Sequence, residues 1–321
     1  MRTVQYVVTF ILLLMLNFFL PRMMPGDPIA ALMGDPAADA PLVITEEMRQ
    51  QLLAYYGLDQ PLWKQFVDYV IGIFTGDWGW SISRNAPVRS VLMRRLGWTL
   101  FLSGSATAIY VTIGILLGAF SAWERGKKVD AGLLISVFSL GSWPPFFLGM
   151  LLVILFGFRL GWFPIGGARA ATPLAGFRGL VDVLHHWALP CFCLVISHVA
   201  GVYLLVRNSM VGVLQEPYIQ TAHAKGLRSR RTLFRHALPN ALLPVVTAIA
   251  MRFGFLLVGA VAVEVVFAYP GMGTLLYEAG VARDYPLLQG AFLLLTFFVL
   301  FFNFVADLLY RRLDPRVREM V

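Results

Sequence analysis

Residues Trp98–Ala122 read WTLFLSGSATAIYVTIGILLGAFSA, a stretch with no charged side chain. A hydrocarbon core about 30 Å thick is crossed by about 20 residues of helix. This run is therefore long enough to span a bilayer and too apolar for the surface of a soluble domain. Working outward, five further runs have the same character: Val4–Leu20, Ala131–Phe158, Ala188–Val206, Ala241–Val266 and Leu287–Tyr310. The chain has 321 residues, 58% of them hydrophobic, and a mean hydropathy of +0.72. A membrane β-barrel would show short alternating segments instead. The expected fold class is all-α: a membrane protein with six transmembrane helices. The third and fifth runs are long enough to tilt or to be locally broken.

Orientation follows from arginine and lysine in the short connections. Arg125, Lys127 and Lys128 lie between the second and third runs. Arg207, Lys225, Arg228, Arg230, Arg231 and Arg235 lie between the fourth and fifth, and Arg311, Arg312, Arg316 and Arg318 follow the sixth. With six spans these sites share one side, so that side and both termini are expected to be cytoplasmic. The formal charge of +8 is then mostly topology. The basic residues flank spans and form no continuous patch, which argues against nucleic-acid binding. The first run also fits a signal peptide, but the following Pro21–Pro28 stretch offers no small-x-small cleavage site, which favours an uncleaved helix.

The expected organisation is a first transmembrane helix at 1–21, a periplasmic segment at 22–96, a five-helix core at 97–310 and a cytoplasmic tail at 311–321. A cytoplasmic loop at 207–240 interrupts the core. In the periplasmic segment, Pro25-Gly26-Asp27-Pro28 reads as a turn. Thr45 is an N-cap for a helix with an acidic first turn, Pro61–Ile73 is a second short helix, and Gly76–Trp80 is an interfacial turn. Gly114 and Gly118 form a small-xxx-small pair suited to close helix packing. In the third run Pro144 and Pro145 leave backbone groups unsatisfied, which admits two readings, a packing kink or the lining of a cavity or gate. Arg252 and Glu264 are intramembrane charges that need partners away from each other, being about 18 Å apart along one helix. Asp307 and Arg311, at i,i+4, read as a local pair.

Several chemistries lack their motifs. There is no GxxxxGK[ST] loop, no HExxH and no GxSxG. The five histidines form no ligand set, His185-His186 reads as an interfacial feature, and Cys191 and Cys193 read as small buried residues, so no metal site is expected. No carboxylate cluster sits at mid-membrane, which weakens an ion-coupled carrier or an embedded enzyme without excluding either.

The loop itself reads as two short helices. Pro217 starts the first and Lys225-Gly226 stops it. Thr221, Ala222 and Ala224 keep its surface low, so that another backbone can approach. Ser229 caps a second, basic helix, Arg230–Leu238, which Pro239 ends. On these grounds the loop is either a docking element or a solvated basic loop that sets topology.

This loop resembles the EAA motif of ATP-binding-cassette importer permeases: EAA, three residues, Gly, nine residues, then I-x-L-P. The chain places Gln220-Thr221-Ala222, Gly226 and His236-Ala237-Leu238-Pro239 at that spacing, without the Glu and the Ile. Thr221-Ala222-His223-Ala224-Lys225-Gly226-Leu227 looks like the dipeptide/oligopeptide/nickel permease branch. Segments similar to that branch recur in order, among them Tyr56–Leu62, Gly76–Gly79, Leu160–Pro164, Arg235–Ala241, Glu264–Gly273, Ala282–Pro286 and Leu313–Arg316.

The resemblance implies a type I importer fold in a bacterial inner membrane, with the core acting as half of a pore. A second homologous permease, two cytoplasmic ATPases and an extracytoplasmic binding protein would complete the system. ATP and Mg²⁺ would be bound by the ATPases and no cofactor by this chain, which would be no enzyme itself. Gln220, Thr221, Ala222, His223, Ala224, Lys225 and Gly226, with Leu238 and Pro239, would couple to an ATPase. Candidate pathway or gate positions are Trp143, Pro144, Arg252, Glu264, Pro270 and Gly271. The substrate reading is di- or oligopeptides, with nickel or a metal chelate as the alternative within the family and an ion-coupled secondary transporter as the rival class.

Overall fold

A computed structural model describes residues 2–23, 45–55, 57–172, 174–254 and 260–313. The described chain is mostly helical: α1 Arg2–Arg22, α2 Glu46–Tyr55, α3 Leu62–Thr75, α4 Val88–Trp123, α5 Lys128–Gly141 and α6 Pro145–Leu152. Then follow α7 Gly176–Val213, α8 Pro217–Ala224, α9 Ser229–Arg231, α10 Leu238–Gly254, α11 Val261–Val266, α12 Met272–Val281 and α13 Tyr285–Leu313. A hairpin of β1 Trp80–Ser81 and β2 Ala86–Pro87 precedes α4, paired Trp80 with Pro87 and Ser81 with Ala86.

Among the described residues, three helices are long and apolar enough to cross a membrane: α4, α7 and residues Tyr285–Leu308 of α13. The third run is a broken span, with α5 and the segment Pro145–Arg159 meeting at 87°. Its sequence explains the break. Pro144 precedes a proline, a position that disfavours the α conformation, and takes ψ 135°. Pro145 then opens α6 at its first position, where a missing N–H costs nothing. The first and fifth runs are helical in α1 and α10. The fifth includes residues 255–259, which lie outside the described residues, as do the Pro25–Pro28 turn, the Arg311 side chain of the expected Asp307 pair, and residues 314–321.

The chain divides into two compact units. The first comprises Met1–Trp98 and Pro270–Phe298. Its core holds Phe18, Val88, Leu92, Met272, Leu275 and Leu287. The expected Thr45 cap is present, its hydroxyl accepting from Met48 N at 3.3 Å. Arg22 donates to Gln65 Oε1 at 2.7 Å and lies over the Phe18 ring at 3.7 Å. A buried carboxylate, Asp284, ties the hairpin down: Oδ2 accepts from Ser81 Oγ (2.6 Å), Ser83 N (2.9 Å) and Ser83 Oγ (2.8 Å), while Oδ1 accepts from Leu287 N (3.1 Å). Asp284 thereby caps α13 and holds the loop Ile82–Asn85.

The second unit comprises Thr99–Tyr269 and Val299–Val321. It is built around α7, whose Cys193, Val202, Tyr203, Val206 and Met210 are fully buried. Gly114 and Gly118 lie against that helix. A Cβ on Gly114 would sit 2.7 Å from Val202 Cβ, and one on Gly118 2.6 Å from the Tyr203 carbonyl oxygen. The small-xxx-small reading is thus a packing contact in which only glycine fits. Gly141 approaches α7 as closely, 2.7 Å from Ala200 Cβ to an added Cβ. Cys191 and Cys193 are free thiols and buried, as small apolar residues would be.

Two expectations fail in the loop. Pro239 ends no helix: α9 runs through a π-helical segment, Thr232–Ala237, directly into α10. The wider π turn makes room for the proline ring near the start of α10, so the helix continues where an α turn would have broken. Nor does Ser229 cap the second helix; Arg228 holds that position and makes no side-chain cap.

Candidate functional site

α8 is the centre of the candidate coupling site. It opens at Pro217, and beyond its end Gly226 takes φ +72°, a left-handed turn that glycine makes without strain. The helix sorts its residues by face. Ile219 and Ala222 are buried, while Gln220, Thr221, Ala224, Lys225 and Gly226 are exposed. The His223 side chain lies outside the described residues. α8 packs on the π segment, where Leu233 and Ala237 are also buried. Ala222 therefore keeps its small side chain for packing within the loop. The low outer surface belongs to Thr221, Ala224 and Gly226.

In the loop after α8, Arg228, Arg230, Arg231 and Arg235 are exposed. Leu238 is half-buried and Pro239 exposed. Two aromatic residues that sequence reasoning passed over join the surface, Tyr218 at 42% and Phe234 at 49% exposure. Their signal was available: large apolar rings in a basic loop that no membrane run accounts for.

The loop is rooted in the helices on either side of it. Ser209 Oγ on α7 donates to the Ala241 carbonyl on α10 at 2.7 Å. Just before it, Arg207 makes a two-pronged ion pair with Asp130 on α5, Nε to Oδ1 at 2.8 Å and NH2 to Oδ2 at 2.7 Å. The Ser121 hydroxyl on α4 donates to the same carboxylate, and Gly126 N does so at 3.2 Å. Because the Ser121 proton is engaged there, the Tyr203 hydroxyl, 2.6 Å away, is the donor to Ser121. With Asp130 only 4% exposed, its charge is held entirely by protein groups.

The pathway candidates are placed differently from one another. Trp143 and Pro144 occupy the 87° break, with Trp143 exposed and stacked on Phe147 at 5.2 Å between ring centroids. Glu264 is fully buried and accepts a hydrogen bond from Thr99 Oγ1 at 2.7 Å. Pro270 is half-buried, and buried Gly271 is the N-cap residue of α12. The Arg252 side chain lies outside the described residues. His185 contacts the Trp162 carbonyl at 2.7 Å and His186 lies 3.3 Å from Asp182. Among the described residues no three of His, Cys, Asp and Glu converge as metal ligands would.

Two family models cover the chain. Residues 114–319 match the inner membrane component of binding-protein-dependent transport systems, and residues 1–103 match the N-terminal region of such membrane components. A di/tripeptide transport system permease protein of Pseudomonas aeruginosa is 36% identical over 326 residues, covering 97% of this chain and 95% of that protein. An oligopeptide transport system permease protein of Bacillus subtilis is 34% identical over 317 residues, covering 98% and 97%. A glutathione transport system permease protein of Escherichia coli is 37% identical over 317 residues, covering 99% and 97%. The chain belongs to the family of inner membrane components of binding-protein-dependent transport systems, and is a multi-pass protein of that membrane.

Proposed function

We propose that the chain is the permease subunit of an ATP-driven importer of short peptides. The observation that carries this reading is full-length similarity, at 34–37% identity, to permeases named for dipeptides, oligopeptides and glutathione, itself a tripeptide. Six spans with both termini in the cytoplasm complete the reading. α1 and α10–α11 supply the two spans beyond the three long helices and the broken one.

In this reading the exposed face of α8, from Gln220 to Gly226, seats in a groove of a cytoplasmic ATPase, with Tyr218, Phe234 and the arginine rim around it. ATP and Mg²⁺ belong to the ATPase, since this chain has no Walker loop. Nucleotide-driven closure of two ATPases moves α8. Because Ser209–Ala241 and Arg207–Asp130 root the loop in α7, α10 and α5, that displacement is passed to helices of the pore, here paired with a second permease. An extracytoplasmic binding protein delivers the peptide.

Reconstitution tests the proposal. Vesicles holding this chain, its partner permease and both ATPases, supplied with the cognate binding protein, are expected to accumulate a labelled di- or tripeptide only with ATP. The chain alone is expected to hydrolyse none. ATP-independent uptake driven by a sodium or proton gradient would overturn the reading in favour of a carrier.

A further inference from the structure

Three arginines converge on one cavity of the unit formed by Met1–Trp98 and Pro270–Phe298. The cavity holds about 310 Å³ and is lined by Arg84, Arg94, Arg95, Trp98 and Pro270, with no carboxylate among the described residues of its wall. Glu278 stands nearby and serves two of the three, pairing with Arg84 and lying 3.6 Å from Arg95. Arg94 is exposed and makes no ion pair or hydrogen bond among the described residues. The charge of Arg94, which Glu278 does not meet, leaves the cavity positive. The excess is notable for its place, in the segment that the positive-inside pattern assigns to the far side from the other basic clusters.

Depth identifies the ligand. Arg94 and Arg95 stand one helical turn before the apolar run that opens at Trp98, so they lie at the level where the hydrocarbon core gives way to headgroups. An indole at that level is at home with its ring toward the acyl boundary and its N–H toward water. A guanidinium fork matches two non-bridging phosphate oxygens and is less strongly hydrated than an ammonium, which suits it to a partly dry pocket. We infer that this cavity binds the phosphate of a phospholipid headgroup. A lipid held there ties the first turn of α4 and the hairpin residue Arg84 to the membrane surface. The inference does not depend on which substrate the protein carries.

The test uses the chain with its partner subunits, delipidated in detergent and titrated with dioleoylphosphatidylglycerol under native mass spectrometry. Dioleoylglycerol, which has the same tails and no phosphate, is the comparison. The phospholipid is expected to bind at least about tenfold more tightly than dioleoylglycerol. Arg94→Gln, at an exposed position that the fold does not need, is expected to weaken it by about tenfold, and Arg94→Lys by less. Glu278→Gln, which removes the competing carboxylate, is expected to tighten it. Unchanged phospholipid affinity in Arg94→Gln, or equal binding of dioleoylglycerol, would overturn the inference. Displacement of the lipid by millimolar inorganic phosphate would reassign the cavity to a free anion, and displacement by a dipeptide would reassign it to the carboxylate of a substrate. Either outcome also overturns it.

Discussion

Asp130 and Arg207 stand 77 residues apart in sequence and meet as a two-pronged ion pair whose carboxylate is buried and whose guanidinium is partly so. Neither residue reads as special by itself, since each belongs to a basic connection whose charge sets topology. Together, with Ser121, Tyr203 and the Gly126 amide, they form a closed polar network that joins the C-terminal parts of α4 and α7 to the start of α5.

Breaking that pair from one side leaves a partly buried charge without its partner. Asp130→Asn is expected to destabilise the protein by about 1–3 kcal/mol. Replacing both partners at once, Asp130→Leu with Arg207→Met, is expected to recover most of the loss, because no charge is then stranded. Thermal unfolding of the detergent-solubilised protein checks both variants. A double variant as unstable as the single one would show that the network, and not the stranded charge, sets the cost.

The glycine contacts on α4 make a graded prediction. Gly118→Val places atoms within 2.6 Å of the Tyr203 carbonyl and 2.9 Å of Val206 Cβ, and is expected to cost about 1–3 kcal/mol or to prevent folding. Gly104→Ala, on the same helix with nothing within 4 Å, is expected to be neutral or stabilising by up to about 1 kcal/mol. Yield of monodisperse protein together with melting temperature distinguishes the two.

Asp284 fixes the hairpin through donors on Ser81 and Ser83. Asp284→Ala removes their acceptor and the cap of α13 together, at a cost of about 2–3 kcal/mol. Hydrogen exchange is expected to quicken across Trp80–Pro87 and at the start of α13, with α7 unchanged. Exchange that quickens uniformly would mean that Asp284 supports the whole fold.

The two faces of α8 separate docking from folding. Ala224→Leu and Phe234→Ala alter the exposed surface and are expected to reduce co-purification of the ATPase by about tenfold with little change in melting temperature. Ala222→Leu crowds the buried face and is expected to lower stability by about 1–3 kcal/mol. If Ala224→Leu and Phe234→Ala both leave ATPase association intact, α8 does not dock there.

Much of the helical inventory was legible in the chain. Run length and the absence of charge place α4, α7 and α13, and Pro144-Pro145 marks the break in the third run because proline acts on its own backbone and its neighbour's. Gly226 as the stop after α8 and Thr45 as the cap of α2 are likewise local signals. Pro239 misled for the same reason: read locally it ends a helix, whereas a π turn just upstream absorbs it. Ala222 misled because three neighbouring small residues, Thr221, Ala222 and Ala224, carry no information about which of them faces inward.

Alone, then, the sequence established a helical membrane protein, the position of its charged loop and the family pattern of that loop, since hydrophobic length and backbone punctuation are properties of short segments. Tertiary structure decided the rest. It chose Asp130 as the partner of Arg207, turned Ala222 inward and Phe234 outward, and gathered Arg84, Arg94 and Arg95 around one cavity. Each of these depends on which helices become neighbours and at what rotation. A charge or a small side chain has one meaning toward solvent and another toward a packed helix, and only the fold sets which it faces.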